Sequence, residues 1–189
     1  MEKISVVVSC YNEEKALPLF YKEIERVRKQ DFENIVDFEY IFVNDGSKDK
    51  TGKIADKYQK KYPKIVKAIH QENGGHGAGI MTGLSVATGK YFKVVDSDDW
   101  VDKKAYKALL KKIKKIDSDL IIMNYVYTYT DGRINQTISF KNVFKENEEM
   151  TWDEMKKFKP TQYLSLHSLM YKKSVLDASS MDLPKHTFY

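Results

Sequence analysis

Tyr91-Phe92-Lys93-Val94-Val95-Asp96-Ser97-Asp98-Asp99 runs from an apolar stretch of strand length straight into three carboxylates within four residues. A buried strand that ends in such a cluster is electrostatically costly unless a cation joins it. A divalent metal held by hard oxygen ligands meets that need, and carboxylate-bound Mg²⁺ or Mn²⁺ commonly works on a diphosphate. The segment therefore points to nucleotide chemistry. An EF-hand reading fails, because Trp100-Val101-Asp102 stands where glycine and later glutamate would have to follow. The alternative is a cap cluster for a helix starting near Lys103, a role that Asp102 can fill alone. Asp99 can face an acceptor or cap that helix.

Outward from this stretch the same arrangement recurs. Residues 4–9 form a continuous β-branched run, the pattern of a strand buried on both faces, and Tyr11-Asn12-Glu13 follows it. Residues 38–43 lead into Asn44-Asp45-Gly46-Ser47, and residues 65–69 into Gln71-Glu72-Asn73. Helical patterns lie between them. Leu17, Phe20, Ile24 and Val27 space a helix over residues 13–29, with Pro18 in its first turn, where a missing N–H costs little. A second helix over 50–62 stops before Pro63. A small-residue helix over 77–87 is closed by Gly89, a Lys-rich one covers 103–116, and residues 120–123 read as a fifth strand. This βαβαβαβαβ order predicts an α/β fold with a mostly parallel sheet and helices on both faces. Such folds bind ligands beyond the carboxyl ends of their strands, where four consecutive polar clusters stand here.

After Met123 the pattern changes. Residues 125–130 and 134–140 flank Asp131-Gly132-Arg133 as a β-hairpin would. Thr151-Trp152-Asp153-Glu154 has the form of a capping box opening a short helix, and residues 168–171 read as a further strand. The 189 residues suffice for one domain with a real core. A net charge of +5 that comes from lysine is too mild to imply nucleic acid, and no Arg-rich or aromatic-basic motif is present. Cys10 is the only cysteine, so no internal disulfide forms, as suits a reducing cytosol. The first apolar run is too short for a signal-peptide core or a membrane span. The lysines between Lys103 and Lys115 make a solvated helix face, with weak attraction to anionic lipid as the functional alternative.

Individual residues have two readings each. Asp45 belongs to a plain turn, or accepts the imide N–H of uracil. Tyr11 is a half-buried loop tyrosine, or offers a base its flat face. Asn73-Gly74-Gly75-His76-Gly77 opens a helix whose backbone N–H groups can bind phosphate, but it lacks the Gly-Lys-Ser/Thr ending of a P-loop. His76 reaches a phosphate, or is merely exposed.

Taken together, these residues resemble the nucleotide-sugar-binding half of a family 2 glycosyltransferase of the GT-A fold. The matching segments are Ser5 to Glu14, Glu39 to Thr51, Asn73-Gly74-Gly75, and Ala87 to Tyr91 running into Asp96-Ser97-Asp98-Asp99-Trp100, within residues 3–115. The resemblance implies that Ser9, Tyr11 and Glu13 line the nucleotide pocket and that Asp45 binds the base. It adds Asn73, Gly75 and Ser97 to the donor site, and gives Asp96 and Asp98 the DXD role of holding the ribose and a divalent metal, Mn²⁺ or Mg²⁺. The implied reaction is inverting transfer of a sugar from a nucleotide donor, expected to be a UDP-sugar, to an acceptor hydroxyl. The metal neutralises the leaving diphosphate and a carboxylate acts as base.

Two departures stand out. Many relatives carry an Ala-Arg-Asn-type stretch after the loop glycine, whereas this chain has Ala78-Gly79-Ile80-Met81, with no Arg or Lys between Lys67 and Lys90. The family's base falls just beyond Tyr189, with Thr187-Phe188-Tyr189 as its lead-in; Asp177 and Asp182 lie a little early. The expectation is a piece of a longer transferase, with residues 1–123 binding the donor and 124–189 beginning the acceptor side; the alternative is a short protein with Asp182 as base. The implied partners are a nucleotide-sugar donor and a saccharide or lipid-linked acceptor for cell-surface polysaccharide or glycolipid. The implied place is the cytoplasm, peripheral at the inner face of the membrane. A sugar-phosphate nucleotidyltransferase and a non-catalytic nucleotide-sugar-binding module are the competing readings.

Overall fold

The computed structural model describes residues 2–27 and 35–185, and the segment 28–29 expected to end the first helix, like Thr187-Phe188-Tyr189, lies outside the described residues. The chain begins β1 (Lys3–Cys10), α1 (Leu17–Val27), β2 (Asp37–Asp45), α2 (Thr51–Lys61), β3 (Val66–Gln71), α3 (His76–Val86), β4 (Tyr91–Val94) and α4 (Lys103–Ile113). It continues through β5 (Leu120–Ile122), β6 (Tyr125–Tyr127), β7 (Gln136–Ile138), β8 (Leu169–Lys172) and α5 (Lys173–Ala178). A six-stranded sheet has the order β3-β2-β1-β4-β8-β5. β1 pairs in parallel with β2 from Lys3↔Asp37 to Cys10↔Asn44, and with β4 from Ile4↔Tyr91 to Val7↔Val94. The chain thus winds outward from β1 to β3, then returns to the other side of β1. The crevice beyond the β1 and β4 ends is the switch point where such sheets take ligands.

Alternation along β1 divides the core. Ile4, Val6, Val8 and Cys10 join Leu17 and Phe20 of α1, Ala55 of α2, and Tyr106, Leu110 and Ile113 of α4. Val7 joins Ile80 and Leu84 of α3 and Leu176 of α5 on the opposite face. α3 lies almost flush on β1: a Cβ built on Gly83 would sit 2.4 Å from a Val7 methyl, and one on Gly79 2.2 Å from Ser9 Oγ. The small residues one turn apart let the backbone approach that closely.

The fifth strand differs from expectation. β5 does not follow β4 in the sheet, because β8 lies between them and is antiparallel to both. The strand expected at 168–171 therefore completes the sheet begun by the first four. β6 and β7 form the expected hairpin as a separate two-stranded sheet. The capping box at Thr151 and Glu154 closes a single 3-10 turn, Trp152–Glu154. Asp102 caps α4, its carboxylate accepting from the Ala105 N–H at 2.8 Å. Among the described residues no helix is long and apolar enough to cross a membrane.

Candidate active site

The end of β1 is fastened to the β2 loop. Asn12, in the left-handed region at φ 59°, donates its N–H to Ser47 Oγ at 3.0 Å and accepts from the Lys48 N–H at 2.9 Å. The Glu13 N–H donates to Thr51 Oγ1 at 2.7 Å. These bonds leave the Tyr11 ring 48% exposed at the crevice mouth, with the Glu13 side chain half-buried nearby in the chain. Ser9 sits opposite Val43 and against α3.

Asp45, at the end of β2, is almost fully buried. One carboxylate oxygen accepts from Gln71 Nε2 at 2.7 Å and from the Gly74 N–H at 2.9 Å, and the other from the Gly75 N–H at 2.8 Å. The carboxylate therefore moulds the loop that opens α3. Gly75 stands at φ 86°, a conformation that favours glycine, and turns the chain into the helix. Asn73 is exposed and packs against Gly46. The helix N-terminus offers N–H groups to an anion, and His76, its first residue, holds Nε2 3.7 Å from Asp96 Oδ1. Ile80, within the departing stretch, is buried in the core.

Asp96, Asp99 and His167 form the acidic centre. One ligand atom from each lies within 4.8 Å of the others. His167 Nδ1 is 4.0 Å from Asp96 Oδ2 and 3.8 Å from Asp99 Oδ2. Two carboxylate oxygens and an imidazole suit Mn²⁺ or Mg²⁺ as ligand types, the imidazole favouring the softer ion. Burial raises the Asp99 carboxyl above its usual range; His167 opposes the rise, and Asp96 and Asp98 add to it. Ser97 is buried, whereas Asp98 is exposed and outside this group. Asp96 is thus common to the pair the resemblance names and to the set that converges here.

Behind the centre, burial pushes the Lys93 ammonium down to about 8 against the pull of Asp99 and Asp96. Burial, with Glu13 and Asp96 adding to it, raises the Cys10 thiol to about 12, so it stays protonated and inert. Tyr125 meets the His167 ring edge to face at 5.6 Å and donates its hydroxyl to the Tyr163 carbonyl at 3.2 Å.

Sequence reasoning did not single out His167. It arrives with the 3-10 turn Leu166–Ser168 that leads into β8, and only the long-range placement of β8 brings it to β4. Lys93 did leave a signal, a charge inside an otherwise apolar strand. Of the two early carboxylates, Asp177 is held by Lys173 at 2.7 Å, and Asp182 is exposed.

The sequence model of glycosyl transferase family 2 matches residues 5–179. The chain is 40% identical over 133 residues to glycosyltransferase GlyG of Streptococcus pneumoniae, covering 69% of this chain and 42% of that protein. It is 33% identical over 123 residues to the poly(ribitol-phosphate) beta-N-acetylglucosaminyltransferase TarS of Staphylococcus aureus, covering 65% of this chain and 21% of TarS. The chain thus spans less than half the length of these curated relatives. The crystal structure of TarS 1-349 in complex with UDP-GlcNAc superposes with a TM-score of 0.71 at 25% identity, over 97% of this chain and 49% of that one.

Proposed function

The chain belongs to glycosyl transferase family 2, and from that premise we propose that it binds a UDP-sugar with a divalent cation for inverting transfer of the sugar to an acceptor hydroxyl. The observation that supports this reading is a linked set: Asp45 holds the Gly74–Gly75 loop, His76 at the end of that loop stands 3.7 Å from Asp96, and Asp96 converges with Asp99 and His167, with Tyr11 exposed after the neighbouring β1. The TarS complex, at 25% identity, supports the choice of a uridine donor.

In this reading Tyr11 stacks on the base and Asp45 accepts its imide N–H, while Ser9, Glu13 and Asn73 line the pocket. The N–H groups at the α3 start, with His76, face the diphosphate and supply donors where relatives carry an arginine. Asp96, with Ser97 beneath it, faces the ribose and joins Asp99 and His167 in holding the cation. The proposed ligand set differs from the Asp96–Asp98 pair because Asp99 and His167, and not Asp98, converge with Asp96. Mn²⁺ or Mg²⁺ held there supplies positive charge for the leaving diphosphate. The acceptor we propose is a saccharide or lipid-linked saccharide of the cell surface, met at the cytoplasmic face of the membrane, where the exposed Lys104, Lys111, Lys112 and Lys115 of the α4 region suit anionic lipid.

Calorimetric titration of UDP, with Mn²⁺ and with EDTA, tests the site. Binding should require the metal, vanish in D96A, and weaken more in D99A than in D98A. Silence towards UDP, GDP, CDP and dTDP from a folded sample would refute the donor reading.

A further inference from the structure

Lys93 is a charge that the sheet itself does not need. It stands within β4 at 2% exposure, flanked by Phe92 and Val94 in a strand that is buried throughout. Burying an ammonium is costly unless it is paired, and an apolar side chain would fill this place without that cost. Its Nζ donates to the main-chain carbonyl of His167 at 2.6 Å. That carbonyl belongs to the residue whose imidazole meets Asp96 and Asp99.

The ladder between β4 and β8 shows why the bond matters. The two strands pair only at Tyr91↔Lys172 and Phe92↔Tyr171. Leu169 and Met170 pair instead with Ile122 and Ile121 of β5. At the level of Lys93, where β4 runs on towards Asp96, no strand register fixes the distance to the 3-10 turn that carries His167. The Lys93 side chain bridges that gap.

We propose that Lys93 is a positioning residue for the cation site, its bond to the His167 carbonyl setting the Leu166–Ser168 turn so that the imidazole faces Asp96 and Asp99. The inference rests on the reading of Asp96, Asp99 and His167 as cation ligands. The ammonium also repels a bound cation, so its removal has two opposing effects. Loss of the tether dominates, because groups that orient metal ligands commonly carry ten- to hundredfold in affinity.

The test titrates Mn²⁺, followed by its paramagnetic resonance signal, into the wild type, K93M, H167A and K93M/H167A. K93M should weaken binding roughly ten- to hundredfold, and should weaken it no further when His167 is already absent. K93R, which keeps a donor and the charge, should recover part of the loss. Unchanged or tighter binding in K93M overturns the proposal, as does a full extra loss on top of H167A, the mark of general structural damage. Histidine-selective NMR supplies an arm that needs no metal. The His167 imidazole signals should move in K93M while those of His70, on β3, stay in place; an unmoved His167 signal sinks the idea. Should the wild type bind no Mn²⁺, the cation reading fails, and the imidazole shift still decides whether Lys93 positions His167. K93Q, too short to reach the carbonyl, carries the same measurements if K93M does not fold.

Discussion

Asp45 has three donors on it and, as a carboxylate, room for about one more. The imide N–H of a uracil would take that last position, so one side chain would both shape the phosphate loop and read the base. Replacing Asp45 by alanine leaves the Gly74 and Gly75 N–H groups without their acceptor. We expect D45A to lose about 2 kcal/mol or more in urea denaturation and to bind UDP at least tenfold more weakly; a wild-type midpoint would contradict the structural half of this prediction. Beside the start of β1, Glu39 accepts from Ser5 Oγ, the Thr88 N–H and Thr88 Oγ1 and pairs with Lys3. Burial alone would raise its carboxyl, but these bonds outweigh it and hold the group at about 2, below its ordinary 4.5. A depressed carboxyl stabilises the fold above its unfolded value, and that stability disappears as pH falls from about 4.5 towards 2. The loss is on the order of 3 kcal/mol. Thermal unfolding of E39Q should show a flatter acid limb than the wild type, and parallel limbs would remove Glu39 as its cause.

The contact of α3 with β1 sets how far the Gly74–His76 loop stands from the Asp96 cluster. An alanine in place of Gly83 would gain about 1 kcal/mol of helix propensity. It would also force a methyl into fully buried Val7, a clash that costs about 1–3 kcal/mol. The clash should win in denaturant titrations of G83A, and V7A/G83A should recover part of the deficit because the smaller residue makes room. Failure of that rescue would place the strain elsewhere. The alternation from β1 to α4 was legible because each element carries its own period. Strands buried on both faces read as β-branched runs, and the helices show apolar residues at turn spacing. The slot of β8 was not legible, since an antiparallel pairing across a long intervening segment leaves no mark in either partner. The site divides in the same way. Tyr11, Asp45 and Asp96 follow strands and could be found in the sequence; His167 is brought in by that hidden pairing. The bonds that occupy Asp45 depend on a loop fold that no local pattern specifies.

At the scale of the molecule, donor and cation should stabilise the chain together. A ligand at a hundredfold excess over its dissociation constant adds about 2.7 kcal/mol. UDP with Mn²⁺ should therefore raise the melting temperature more than the sum of either alone; simple additivity would mean that the two do not share a site. A chain ending at Met123 should lack cooperative near-ultraviolet unfolding, because β5 reaches the sheet only through β8. A sharp two-state transition would show that the first four strands suffice. The same connectivity imposes a schedule on synthesis. Roughly 75 residues separate β4 from β8, so at ~10 residues per second the ribosome takes several seconds to deliver the strand that covers the β4 edge. During that interval the β4 flank keeps its hydrogen-bonding groups open to any passing strand. The newborn chain is therefore most exposed to mispairing in the interval after β4 has been made and before β8 can cover it.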